Sequence, residues 1–310
     1  MKLSRNWIGR PALLVVFFGT LFCFAQARAA PLPAMQSDSA CSAHVPGWQP
    51  ADYVKACADL ITRLKDVLGR CNGSNPPQGS ADPQGLCAGE SRSRISDQLA
   101  AAYNDRAYFW ILCRGTENYR RAVTDLDEAI KLIPRYWLAI RNRGVAHMLL
   151  GSYGDAKADF TNAMALANGE TGSTLIRPVG EAEVRLGLGF SHLGLCDIGP
   201  AQRELLETER LTLGQVGGDI WLKAASLYGQ GLTLKVKAAA QKLIAQTNNA
   251  VTGEQRGRIS RYADSLDAQG AARMQAARAL VRSIDDDVRD RFHVEENVLV
   301  TQCRKNPASV

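Results

Sequence analysis

Residues Tyr136 to Ala167 read YWLAIRNRGVAHMLLGSYGDAKADFTNAMALA, and this stretch decides the fold class. Apolar and small residues recur at helical spacing in two runs, Ile140, Gly144, Ala146 and Leu150, then Ala156, Phe160, Ala163 and Leu166. A turn at Gly151 to Gly154 separates them, so the spacing predicts two short helices folded back on each other. Such helices approach closely only where the side chains at the crossing are small, which gives Gly144, Ala146, Ala156 and Ala163 a physical use. A single hairpin cannot bury its own apolar face, so the pattern should recur along the chain.

It recurs immediately upstream. From about Leu99 to Pro134 the second half carries Tyr119, Ala122, Leu126, Ala129 and Leu132, with Pro134 ending the helix. The first half sets Asp105, Arg106 and Ala107 opposite Asn142, Arg143 and Gly144, which requires a turn about three residues longer around Cys113 to Asn118. Downstream of a linker, Asn168 to Pro178, a degenerate third unit carries Arg185, Leu186, Gly187, Gly189, Leu193 and Gly194. After a slightly lengthened turn it continues with Ile198, Ala201, Leu205, Thr208 and Leu211. A partial unit, Asp52 to Leu68, repeats the second-helix spacing with Tyr53, Ala56 and Leu60.

The order N-R-G-x-A, then L-G-x-Y, then A-x-x-x-F-x-x-A, resembles the tetratricopeptide repeat (TPR), whose unit is ~34 residues. The resemblance covers about Asp52 to Leu213 and implies an all-α solenoid of helical hairpins wound as a right-handed superhelix. It also implies that first helices of successive repeats line a concave groove for an extended peptide or a partner helix. In that frame the groove presents Asn104, Asp105 and Tyr108, then Arg141 and Asn142, then Glu181 and Arg185. Arginine and asparagine suit a carboxylate or a peptide backbone. Some family members clamp a terminal carboxylate with Lys, Asn and Arg, but Asp105 and Glu181 stand where that subset carries Asn and Lys. The expectation is therefore a mixed-charge protein groove, with an ordinary solvated helix face as the alternative for each residue.

The 310-residue chain opens with Lys2, Arg5 and Arg10, an apolar run from Ala12 to Phe24, and the small residues Ala27, Ala29 and Ala30. That order predicts a signal peptide over 1–30 and a periplasmic or secreted product. The run is shorter than the ~20 residues a membrane span needs, and Phe22 before Cys23 does not suit lipoprotein processing. The leader carries four basic residues and no acidic one, so the formal net charge of +6 falls to +2 without it. Neither nucleic acid nor an anionic membrane is expected as partner.

Residues 31–50 form an extended leader, 51–215 the repeats and 216–310 a C-terminal helical cap or hairpin. Within the repeats a Cys-containing loop spans 69–93, with Asn75, Pro76 and Pro77 at its irregular centre. The hairpin has one apolar stripe on Ile220 to Gln246 and another on Thr252 to Val300, the latter from Ile259 through Leu266 and Met274 to Ile284, Val288 and Phe292. The acidic run Asp285 to Asp287 reads as a solvated face.

Of 8 cysteines, seven remain after the leader: Cys41, Cys57, Cys71, Cys87, Cys113, Cys196 and Cys303. Export favours disulfides, and the odd count predicts a free thiol or a bridge to another chain. Cys71 with Cys87 would close their loop, and Cys303 would pin the tail to Cys196. Cys57 with Cys113 follows from adjacent repeats. No C-x-x-C pair occurs, and His44, His147, His192 and His293 are scattered, so neither metal nor cofactor is expected. Gly187-x-Gly189 lacks the preceding strand and third glycine of a nucleotide site, and packing glycines are the expected reading. His147 and His192 read as packed residues.

Three functional readings follow. The first is an exported adaptor holding a protein or peptide in its groove. The second is a structural subunit of an envelope complex that dimerises through the C-terminal hairpin, which requires the stripe from Ile259 to Phe292 to be exposed in the monomer. The third, an enzyme on a helical scaffold, has no nucleophile with base, carboxylate pair or metal cluster at a recognisable spacing to carry it.

Overall fold

In a computed structural model the chain is described at residues 41, 47–72, 89–169, 178–213 and 220–304. The expected signal peptide, most of the extended leader and the centre of the expected loop lie outside the described residues. Among the described residues there are eleven α-helices and no strand: α1 (Pro50–Asn72), α2 (Gly89–Cys113), α3 (Thr116–Leu132), α4 (Trp137–Leu149), α5 (Tyr153–Gly169), α6 (Pro178–Gly194), α7 (Ile198–Thr212), α8 (Ile220–Thr247), α9 (Gly253–Leu280), α10 (Ile284–Phe292) and α11 (Glu296–Arg304). The expected loop over 69–93 is shorter than its composition suggests, because α1 and α2 extend into both of its ends.

Consecutive helices pack as hairpins, α2 on α3, α4 on α5, α6 on α7 and α8 on α9, and each hairpin packs on the next. Alternate helices also touch, α2 with α4, α4 with α6 and α6 with α8, so they share one face of the stack. The second helices repeat one pattern, an alanine, an acidic residue three positions on, then a large apolar residue. Ala122, Asp125 and Leu126 occupy it in α3, Ala156, Asp159 and Phe160 in α5, and Ala201, Glu204 and Leu205 in α7. The alanines and large apolar residues are all fully buried.

Gly187 and Gly189 are packing glycines. A Cβ on Gly187 would stand 2.5 Å from the Phe160 ring and one on Gly189 2.7 Å from Leu205, so α6 presses on α5 and α7 only because these positions lack side chains. Gly144 lets α4 approach the same Phe160 ring, which therefore lies between two glycine-bearing helices.

The first turn differs from expectation. Only Arg114 and Gly115 separate α2 from α3, both with positive φ (56° and 92°), and the additional residues form an extra start to α3. Two successive residues with positive φ reverse the chain in less length than an open loop would need. The turn between α6 and α7 is likewise tight, with Cys196 at φ 64°. In α1 the buried seam is Tyr53, Cys57 and Ile61, while Ala56 and Leu60 flank it half-buried, a rotation of one position from the expected frame. Tyr53 stacks on Phe109 of α2 with centroids 4.4 Å apart, which selects that rotation.

Cys57 bonds Cys41 rather than Cys113, because the Tyr53 seam points Cys57 into the core, where Cys41 is also buried. Cys196 bonds Cys303, as expected, across 107 residues with Cα atoms 5.2 Å apart. Cys71 and Cys113 are also disulfide-bonded, and no described cysteine is free. The expected partner of Cys71, Cys87, lies outside the described residues.

The C-terminal third is where the architecture departs most from one long hairpin. Helix α9 starts at a capping box, Thr252 with Gln255, and stops at Leu280, where Val281 turns extended. Its expected stripe thus divides between two helices. Met274 stays on α9, buried against α8, whereas Ile284, Val288 and Phe292 belong to α10, which folds back onto α4, α6 and α8. His293 at φ 56° ends α10 and lets α11 return to α8. Little of the stripe is left exposed, Tyr262 and Leu280 being its outward residues. Among the described residues no helix is long and apolar enough to cross a membrane.

Candidate functional site

The shared face of α2, α4 and α6 holds a chain of buried polar side chains. Asn142 donates from Nδ2 to Asn104 Oδ1 at 2.8 Å, and Asn104 donates from its own amide nitrogen to Asp105 Oδ1 at 3.3 Å. Arg141 donates from Nη1 to Asn142 Oδ1 at 3.4 Å and from Nη2 to Glu183 of α6. Three helices are therefore tied by one line of hydrogen bonds, from Asp105 through Asn104, Asn142 and Arg141 to Glu183. Asn104, Asp105 and Asn142 are at most 1% exposed and Arg141 is 6% exposed, so their polarity is spent inside the stack. A satisfied buried network of this kind fixes which helix faces which, since a slip would strand donors and acceptors away from water.

The line runs beside the seam between two apolar clusters. One is built from α1 to α4 around Leu126 and Phe109, the other from α4 to α11 around Phe160, Phe190 and Leu205. At the edge of the network Tyr108 is half-buried. Burial pushes its phenol pKa up, against the pull of the Arg141 and Arg291 charges. Arg291 of α10 lies over the Trp221 ring, 4.1 Å from its centroid.

Glu181 and Arg185 stand apart from this network. Arg185 donates to Glu181 at 2.9 Å within α6 and to Glu204 of α7 at 3.0 Å. All seven residues singled out from the sequence thus lie on α2, α4 and α6, but four of them are brought together under cover. Tyr108, Glu181 and Arg185 keep partial exposure. Glu183 and Arg291 belong to the same constellation and were not singled out. Glu183 was legible in principle, as a carboxylate on the apolar-flanked start of α6 facing Arg141 one repeat earlier.

The Arg185 to Glu204 pair belongs to a series. Arg106 holds Asp125 through Nε at 2.8 Å and Nη2 at 2.6 Å, and Arg143 holds Asp159 through Nη2 at 2.7 Å. Each acidic residue of the second-helix pattern is therefore locked by an arginine of the helix before it. The recurrence of Asp, Asp and Glu at matched positions was the available signal, and it is a hairpin lock rather than a ligand site.

The locks differ in environment. Burial pushes the Asp125 carboxyl up, and its Arg106 partner does not offset this. Burial acts on Asp159 too, but hydrogen bonds from His147 and Arg143 outweigh it and hold the carboxyl below its ordinary value. The stability Asp159 contributes is intact above pH 3.8 and is lost as the pH falls through its lowered folded value. Asp125 has the opposite sign: its contribution is full below pH 3.8 and declines as the pH rises through its raised folded value. A carboxyl-carbon NMR titration should place Asp159 below and Asp125 above 3.8, and His147→Ala should move Asp159 upward while leaving Asp125 in place.

No family model matches the chain, and no curated protein matches it. Among the described residues no group of three or more His, Cys, Asp or Glu side chains is placed to hold a metal ion. His147 and His192 each pair with an aspartate, Asp159 at 3.0 Å and Asp197 at 3.2 Å.

Proposed function

We propose that this is an exported, disulfide-stabilised TPR-like protein that acts as an adaptor, holding a protein or peptide partner against the face shared by α2, α4 and α6. What supports the reading is the repetition itself. Three hairpins carry the same alanine, acidic residue and large apolar residue, each locked by an arginine, and their first helices line up in contact. An array of this kind offers one long surface in register and suits recognition of an extended or helical segment. The paired cysteines fit an oxidising compartment, and with the basic and apolar start of the chain they support export.

The partner contacts fall on the partly exposed residues Tyr108, Glu181 and Arg185, because the buried network cannot reach a ligand without breaking the stack. The test is capture from envelope extract with the parent protein and a Tyr108→Ala, Glu181→Lys variant as baits. A protein retained by the parent and lost from a variant of unchanged circular dichroism supports the adaptor reading. The same proteins on both baits, or none on either, removes it.

A further inference from the structure

We propose that the face of α4, α6 and α8 is a seat for an amphipathic helix, and that α10 is a tethered occupant of that seat which a partner helix of like chemistry displaces. The proposal rests on the adaptor reading and names the kind of partner: a short helix with three apolar residues at i, i+4 and i+8 and an acidic first turn.

The chemistry of the seat is read from what fills it. Ile284, Val288 and Phe292 are spaced by four, lie on one side of α10 and are at most 5% exposed. Phe292 stacks on Phe190 of α6 with centroids 3.9 Å apart and also lies against Trp221 of α8. The rim is polar and matched in sign. Trp221 donates from Nε1 to Asp287 at 3.3 Å, and Arg114, in the turn after α2, donates to Asp290 at 3.1 Å. Tyr153 donates its hydroxyl to the carbonyl of His293 at 2.7 Å, closing the far end, and burial pushes that phenol up to about 12. Apolar anchors in a groove with a polar rim form the helix-in-groove mode of recognition.

Three features mark α10 as an occupant rather than a fixed layer of the stack. It is nine residues long, too short to hold helical form by itself, so its order depends on the seat. Both of its ends are breaks, an extended Val281 before it and a left-handed His293 after it, so it is continuous with neither α9 nor α11. It packs on α4, α6 and α8, which come from three different hairpins. The Cys196–Cys303 bridge then anchors the strap beyond α10, and Gln302 donates to the Gly194 carbonyl beside it at 3.3 Å. A strap fixed at both ends keeps α10 at high local concentration over its seat and sets the threshold a partner must exceed.

The probe is a fluorescent peptide of residues 283–293, added to the full oxidised protein and to a Cys196→Ala, Cys303→Ala variant. Untethering lowers the local concentration of α10, so the variant should bind the peptide at least 10-fold more tightly than the oxidised parent. Equal affinity, or no binding by a variant whose helical content is retained, overturns the proposal. Hydrogen exchange on the unaltered oxidised protein gives an independent reading. Amides of α10 should exchange in a separate and faster step than those of α6 and α8, and exchange in one common step would make α10 part of the fixed core and overturn the idea. Because the peptide assay needs no envelope partner, its failure removes the seat and leaves the capture result standing, and the converse also holds.

Discussion

Removing the Cys196–Cys303 bridge by a double alanine substitution should lower the unfolding free energy by about 2–5 kcal/mol, measured by urea denaturation. The bridge joins residues 107 apart, and in the chain-entropy account a loop of that order restricts the unfolded chain by about 4.7 kcal/mol. It also ties the last described helix to the turn between α6 and α7, so its loss should let α10 and α11 detach early. The dependence of the remaining transition on urea should then become shallower, because less surface is left to expose. The Cys41–Cys57 bridge spans only 16 residues, and its removal should cost less, about 3 kcal/mol. If removing the short bridge costs more than removing the long one, the ranking by loop length fails for this protein.

The all-helical class was legible because its signal is periodic and local. Ala156, Phe160 and Ala163 recur at helical spacing, and all three are fully buried where the pattern put them. Gly187 and Gly189 were legible for the same reason, since close helix packing leaves glycine where a side chain would collide. Element boundaries were less so. The stripe from Ile259 to Phe292 keeps helical spacing across Val281 and Ser283, so periodicity alone could not reveal that α9 stops and α10 turns back. That reversal depends on what receives Phe292, namely Phe190 and Trp221, which are 102 and 71 residues away in the chain.

The site was legible as positions and misleading as exposure. Residue type places Asn104, Asp105, Arg141 and Asn142 on first helices but does not say whether they face water or the next helix. Here Asn142 finds Asn104 across the α2–α4 seam and Arg141 finds Glu183 across the α4–α6 seam, while Asp105 is met by its neighbour Asn104, and burial follows from that mutual satisfaction. The Tyr53, Cys57 and Ile61 seam of α1 shows the same limit, since a rotation of one position changed the partner of Cys57. Most of the sequence stripe that motivated self-association is buried within this chain, with Tyr262 and Leu280 left facing outward, so the exposed face available to the assembly reading is small.

The second large effect is expected at the Arg141–Glu183 pair, whose side chains are 7% and 8% exposed. Arg141→Leu or Glu183→Leu alone breaks the buried ion pair by removing one member and should cost about 3–5 kcal/mol. The double variant removes both charges and should cost far less than the sum, because two leucines bury without a desolvation penalty, the donor to Asn142 being lost with Arg141. A double-mutant cycle in urea measures this directly, and additive costs would show that the two side chains are not coupled. The pair also sets how the adaptor face can be probed. Reversing the charge at Arg141 would place two carboxylates together inside the stack, so lost partner binding in such a variant would report damage to the fold. Substitutions at Tyr108 and Glu181 leave the line from Asp105 to Glu183 intact, and a loss of capture there reports on the surface.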